Sequence, residues 1–200
     1  MFDTHMHSLH SPDGSRAMPV MAEAAHVQGL EGLAFTEHAE WYPEDPAYDY
    51  LDLDAYFSDL NDVRSQFGDR LEILAGIELG NPHDFPEQVN ELLSRYRFDL
   101  VIGSVHWLGG QAGWERPAFA RGVRDAYRRY FDELIVMVEH AEFDVLGHLD
   151  LVRRDSWALF GHTLELAPFE AKIRHALRRL VETGRGIEIN TSGLHKGLGK

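Results

Sequence analysis

Six short apolar runs, separated by stretches of helical period, constrain this chain more than any other feature. The runs are Phe2–His7, Gly32–His38, Glu72–Leu79, Leu100–Trp107, Asp144–Asp150 and Gly186–Thr191. Between them Tyr56, Leu60, Val63 and Phe67 recur at helical spacing. So do Phe119, Val123, Tyr127, Phe131, Leu134 and Val138, and then Phe169, Ile173, Leu177 and Leu180. Strands that alternate with helices in this way pair in parallel, each helix returning across a face of the sheet. Asp84 followed by Glu87 has the form of a capping box opening a helix that ends near Tyr96. Gly184, just past Val181, suits a helix C-terminus. The proline- and acid-rich segment Trp41–Asp54 reads as a long surface loop. At 200 residues the chain is expected to be one α/β domain over 1–200.

The polar residues of these runs sit in one kind of place. Side chains at i, i+2 and i+4 of a strand share a face, so Asp3, His5 and His7 are expected to project together. Each later strand then ends in a residue able to bind metal: His38 in AFTEHAE, Glu78 in ILAGIELG, His106 in VIGSVHW and His148 in DVLGHLD. The last run, GIEINTS, ends in Asn190 and Ser192. Two and four residues earlier lie Thr36 and Ala34, Gly76 and Leu74, Ser104 and Ile102, and Leu146, all small or apolar. Asp144 breaks this rule and marks where its strand begins. Small residues beneath and ligands above describe the interior and mouth of a parallel barrel, where active sites form. Asp13, in HSPDG, is a turn residue within reach of that mouth. His10 and His83 follow strand ends and stay open. His26, His140, His162 and His175 fall on helices or loops and read as ordinary residues.

The chain contains no cysteine, so any metal is held by nitrogen and oxygen. Imidazoles with a carboxylate suit Zn, Mn or Fe better than an all-oxygen magnesium site. Seven candidate ligands exceed the needs of one cation, which implies two or three divalent ions, with Glu78 the natural bridge. Such clusters acidify bound water and clamp attacking and leaving oxygens, the chemistry of phosphate ester hydrolysis. Nineteen basic against 33 acidic residues give a net charge of −14. That balance disfavours nucleic acid and anionic membrane, and points to small or cationic partners. No run has signal-peptide or bilayer-spanning character. A cytoplasmic protein is expected.

DTHMHSLHSPDG, FTEH, GIELG, GSVHW, GHLD and EINTSG occur in that order over nearly the whole chain. Together they resemble the PHP (polymerase and histidinol phosphatase) family, with the closest likeness to its stand-alone histidinol-phosphate phosphatases. The resemblance implies a distorted TIM-like (β/α)7 barrel of PHP type with a trinuclear metal centre. His5 and His7 would share one metal with bridging Glu78. Asp13 and His38 would hold a second, and Glu78, His106 and His148 a third. A metal-bridged hydroxide would attack phosphorus, with no protein nucleophile. Arg154, with Arg153 its neighbour, would bind phosphate, and His195 and Lys196 stand where an arginine is more usual. Trp107 reads as packing.

The family's seventh strand carries a Gly-Ser-Asp-Ala-His motif that does not occur before Lys200, so the domain is expected to be C-terminally incomplete. Edges left open on the first and sixth strands would invite an oligomer. The expected activity is hydrolysis of L-histidinol phosphate to L-histidinol and phosphate, in histidine biosynthesis. The alternatives are another PHP phosphoesterase or a degenerate metal-binding scaffold. An amidohydrolase would want a lysine at a central strand end, and the lysines are Lys172, Lys196 and Lys200. A nuclease or proofreading role conflicts with the acidic charge.

Overall fold

A computed structural model describes residues 1–195, the last two by backbone alone. Its strands are β1 (Phe2–Met6), β2 (Gly32–Ala39), β3 (Glu72–Gly80), β4 (Leu100–Ser104), β5 (Val145–Leu146) and β6 (Gly186–Ile187). Its helices are α1 (Met18–Val27), α2 (Leu53–Phe67), α3 (Pro86–Arg95), α4 (Val123–His140), α5 (Leu151–Phe160), α6 (Glu170–Glu182) and the single turn α7 (Ser192–His195). Strand order follows chain order, β1 to β6. The α/β alternation is thus the expected one, and no seventh strand occurs among the described residues.

The chain divides into two compact units, one of residues 1–79 and 87–102, the other of 80–86 and the residues from 103 onward. In the first unit β2 and β3 run parallel in unbroken register, from Gly32 opposite Glu72 to His38 opposite Glu78. Leu33, Phe35, Ile73 and Ala75 turn one face of this ladder onto a core with Met18, Ala22 and Ala25 of α1 and Tyr56, Leu60, Val63 and Phe67 of α2. Each large aliphatic side chain buried there contributes about 1.5–3 kcal/mol. Strand alternation therefore sends Ala34, Thr36 and His38, and with them Leu74, Gly76 and Glu78, to the opposite face. Asp52 caps α2, its side chain accepting from the Ala55 amide.

The second unit is built around α4, whose buried stripe runs from Ala126 and Tyr127 through Phe131 and Leu134 to Val138. Phe131 packs on Phe169 at 5.5 Å between ring centroids, and Asp132 pairs with Lys172 of α6. The expected helices are present, although Phe119 and Phe169 fall in 3-10 turns ahead of α4 and α6. α3 opens at Pro86, which suits a first turn because its missing N–H is not needed there. The last three strands are shorter than the apolar runs suggested. Leu100–Trp107, Asp144–Asp150 and Gly186–Thr191 contract to β4, β5 and β6, leaving His106, His148 and Asn190 beyond the strand ends. At His148 the cause is visible: its φ is 21°, outside the β region, so the ladder cannot continue through it.

Candidate metal centre

Strands β1, β2 and β3 bring together the first group of side chains. His38 and Glu78 are direct partners in the ladder and leave it on one face. β1 reaches that face through a bulge. Its register runs Asp3 to Leu33 and then Met6 to Phe35, so β1 carries one extra residue. Thr36 repairs the interruption. Its hydroxyl oxygen accepts from the Met6 amide at 3.0 Å and donates to the Met6 carbonyl at 3.2 Å. His5 and His7 flank Met6. Their Nε2 atoms lie 3.3 and 3.5 Å from Glu78 Oε2, and His38 Nδ1 lies 3.2 Å from the same oxygen. Three imidazoles thus converge on one oxygen of a carboxylate that is 1 % exposed. Asp3, expected beside them, is exposed and accepts from the His5 amide at 3.4 Å. The bulge breaks the alternation that predicted otherwise.

Asp13 arrives from the turn after β1, with Oδ2 3.6 Å from His38 Nε2. That turn depends on Gly14, where a Cβ would stand 1.6 Å from the Ser8 carbonyl oxygen. The rings of His7 and His38 stack at 4.2 Å. Burial drives the His7 imidazole down from 6.5 to about 4, against the pull of Glu78. A hydrogen bond with His38 is the main cause holding the Asp13 carboxyl below its usual range. At neutral pH His7 therefore presents a free lone pair, and its buried Nδ1 has no hydrogen-bond partner among the described residues. Donor atoms of His5, His7 and Glu78, and of His7, Asp13 and His38, lie within 4.8 Å of one another. The neutral His7 imidazole, the neighbouring histidine nitrogens, the buried oxygen of Glu78 and the exposed carboxylate of Asp13 at this spacing fit a divalent metal. Glu40, which carries no signal of its own in the sequence, adds an oxygen 3.4 Å from His38 Nδ1. Beside His38 a cavity of about 240 Å³ is lined by Glu40, Trp41, Tyr48, Asp49 and Tyr50.

The second unit holds His106 and His148, their Nε2 atoms 3.2 Å apart. Neither lies in a strand. Buried Asn81, itself at φ 44°, accepts from the His106 and Trp107 amides at 2.8 and 2.9 Å and donates to the Trp107 carbonyl at 2.9 Å. The Tyr130 hydroxyl donates to the His148 carbonyl at 3.0 Å, and the His148 amide donates to Glu188 Oε1 at 3.1 Å. Glu188 also accepts from Asn190, which accepts from Ser192, which in turn accepts from Arg154 Nη1 at 2.9 Å. Arg154 and His148 are therefore tied to the same 188–192 segment. Arg153 pairs with Asp150 at 3.5 Å.

The side chain of His195, and Lys196 altogether, lie outside the described residues. Trp107 is 4 % exposed and meets Trp114 edge-on, which is packing. His10 pairs with Asp59 at 3.0 Å. His83 pairs with Glu133 at 3.1 Å and lies 3.8 Å from Asp84. Asn81, Tyr130, Glu188 and Glu37 were not foreseen as supports of the site. The signal for Glu37 was a charged residue on the face that Leu33 and Phe35 make apolar.

Residues 3–192 match the PHP domain family. A histidinol-phosphatase from Lactococcus lactis subsp. lactis is 30 % identical over 193 residues, spanning 94 % of this chain and 71 % of that protein. The crystal structure of histidinol phosphate phosphatase from the same organism, complexed with zinc, L-histidinol and phosphate, superposes with a TM-score of 0.84 at 28 % identity. It covers 95 % of this chain, and the match takes in 73 % of that chain. A Listeria monocytogenes structure, 21 % identical, shares the fold with a TM-score of 0.85 over 99 % of this chain and 85 % of its own. No helix among the described residues is long and apolar enough to cross a membrane.

Proposed function

We propose that this chain, which belongs to the PHP domain family, is a metal-dependent phosphatase that hydrolyses L-histidinol phosphate to L-histidinol and phosphate. The observation that carries the reading is the convergence of His5, His7 and His38 on one buried oxygen of Glu78. The ligand set is His5, His7, Asp13, His38, Glu78, His106 and His148, holding two or three ions of Zn, Mn or Fe. Divalent ions held by these residues would acidify bound water and offset the charge of a phosphate ester. The protein's part is to hold those ions and to orient the ester. His7, neutral at working pH, offers a nitrogen rather than a proton. Arg154, tied to Ser192, receives the phosphate, as do His195 and Lys196 by resemblance.

The leaving group carries an amine and an imidazole. Carboxylates of Glu40 and Asp49 with the rings of Trp41 and Tyr48, lining the cavity beside His38, suit both. A single PHP domain over 1–200, a cytoplasmic setting in histidine biosynthesis and a small-molecule substrate without nucleic acid belong to the same reading. Phosphate release from L-histidinol phosphate, measured with and without added manganese or zinc, tests it. Metal-dependent turnover is expected. Turnover of other phosphomonoesters only would make the chain a different PHP phosphoesterase, and metal binding without turnover would make it a scaffold.

A further inference from the structure

Glu37 lies near the C-terminal end of β2, next to His38 in sequence, yet it is turned to the other face and is 0 % exposed. Its carboxylate is surrounded by donors from the loop after β1. The Ser8 amide donates to both oxygens at 3.1 Å, the Ser8 hydroxyl donates to Oε1 at 2.7 Å, and the Ser11 hydroxyl donates to Oε2 at 2.6 Å. Ser11 Oγ also accepts from the His38 amide at 2.9 Å. The loop is wound on the same two serines, since Ser11 N donates to the Ser8 carbonyl and Gly14 N to the Ser11 carbonyl, both at 3.1 Å. His7 immediately precedes this loop and Asp13 sits inside it.

We propose that Glu37 is a positioning residue, the anchor that fixes His7 and Asp13 against His38 so that the three can share one metal ion. A loop of this length has many conformations, and the turn hydrogen bonds alone set its internal shape. They do not set where the loop stands relative to β2. Four bonds onto one buried carboxylate, together with the Ser11 relay to the His38 amide, supply that second condition. The arrangement explains why a charged residue interrupts the apolar face of β2. A buried carboxylate is tolerated only when its oxygens are satisfied, and here all four bonds come from the loop that carries Asp13 and follows His7. Supporting residues of this kind orient ligands and typically change metal affinity by about 10–100-fold when removed.

The inference rests on the metal reading of His7, Asp13 and His38, and its test separates the two. Zinc affinity of the full chain is measured by competition with a chromophoric chelator for the wild type, Glu37→Gln, Ser11→Ala and the double variant. Thermal unfolding of each metal-free protein is followed alongside. Glu37→Gln places an amide NH₂ where the serines need an acceptor, so zinc binding should weaken by about 10–100-fold. Ser11→Ala should weaken it less. The double variant should be no worse than Glu37→Gln alone, because both substitutions break one connection.

A purely structural role would lower the metal-free melting temperature and leave zinc affinity of the folded chain unchanged. That result overturns the proposal, as do losses that multiply in the double variant. If Glu37→Gln does not fold, Ser11→Ala decides: unchanged zinc affinity in that variant is equally fatal. A wild-type chain that binds no zinc sinks the metal reading itself, and this inference with it.

Discussion

The two units hold their histidines by different means. In the first, His38 and Glu78 are neighbours in an unbroken parallel ladder, so main-chain hydrogen bonds place them before any side chain acts. In the second, His106 and His148 stand beyond the ends of β4 and β5. There individual side chains hold the backbone: Asn81 at His106, and Tyr130 with Glu188 at His148. A ladder spreads placement over many bonds, whereas a loop concentrates it in a few. His38 and Glu78 should therefore be vulnerable mainly in themselves, whereas His106 and His148 should be vulnerable at residues that bind nothing themselves.

The largest effect is expected in the first unit. Glu78→Ala removes the oxygen on which three imidazoles converge while leaving the β2–β3 ladder intact. Metal content by elemental analysis should fall by more than in any single histidine variant, and kcat by roughly 10³-fold or more, since bridging exceeds the 10–100-fold typical of a supporting residue. Far-ultraviolet circular dichroism should be unchanged. Equal losses in Glu78→Ala and His5→Ala would mean that Glu78 does not bridge.

Asn81→Gly probes the second unit. Glycine tolerates the φ of 44° at this position, so the substitution removes the three short hydrogen bonds to His106 and Trp107, and a longer one of 3.4 Å to Asp84, without adding strain. At about 1 kcal/mol for each short bond, urea unfolding of the metal-free chain should show a loss of about 3 kcal/mol. Activity should fall although Asn81 is no ligand. A loss under about 1 kcal/mol would show that the Leu108–Gln111 and Gly113–His106 main-chain bonds suffice to hold the His106 turn, and the contrast between units would weaken.

The same contrast marks what was legible beforehand. Period-two alternation gives the face of His38 and Glu78 because β2 and β3 are regular. The same rule fails at Asp3, where a bulge inserts a residue, and it overextends β4, β5 and β6. Bulges and early strand ends are set by partners distant in sequence, such as Thr36 for Met6 and Glu188 for His148, and no local pattern encodes those pairings. The candidate ligands stood out because imidazoles and carboxylates are rare at strand ends. Their supports did not, because Asn81, Tyr130 and Ser11 are ordinary residues until the fold brings their partners to them.

Acid titration sharpens the comparison within the first unit. His7 titrates near 6.5 in an unfolded chain and at about 4 when folded, so between those values the unfolded state binds more protons. Stability of the metal-free protein should then rise with pH across this window. As pH falls from 6.5 to 4, this one residue should cost the fold about 3 kcal/mol, at about 1.36 kcal/mol per pH unit. Urea midpoints at a series of pH values should show the slope, and His7→Ala should flatten it. An unaltered slope in His7→Ala would place the buried imidazole elsewhere.

The smallest effect falls on Tyr130. Tyr130→Phe deletes one hydroxyl from a buried ring and preserves its shape, so its cost to global stability should be only about 1 kcal/mol. The hydroxyl, however, holds the backbone of His148 together with Glu188, and the φ of 21° there is unfavourable for a residue with a Cβ. Without it the peptide can relax, and the imidazole moves with the backbone. The expected signature is disproportion: a small shift in urea midpoint with a tenfold or larger fall in kcat, about 1.4 kcal/mol or more in the barrier. Thr36→Val supplies the matched control, because it removes a hydroxyl that bonds Met6 beside His5 and His7 while the β2–β3 ladder stays in place. If Thr36→Val lowers kcat as much as Tyr130→Phe at equal loss of stability, His5 and His7 depend on one hydroxyl as His148 does, and the contrast narrows to His38 and Glu78 in the unbroken ladder.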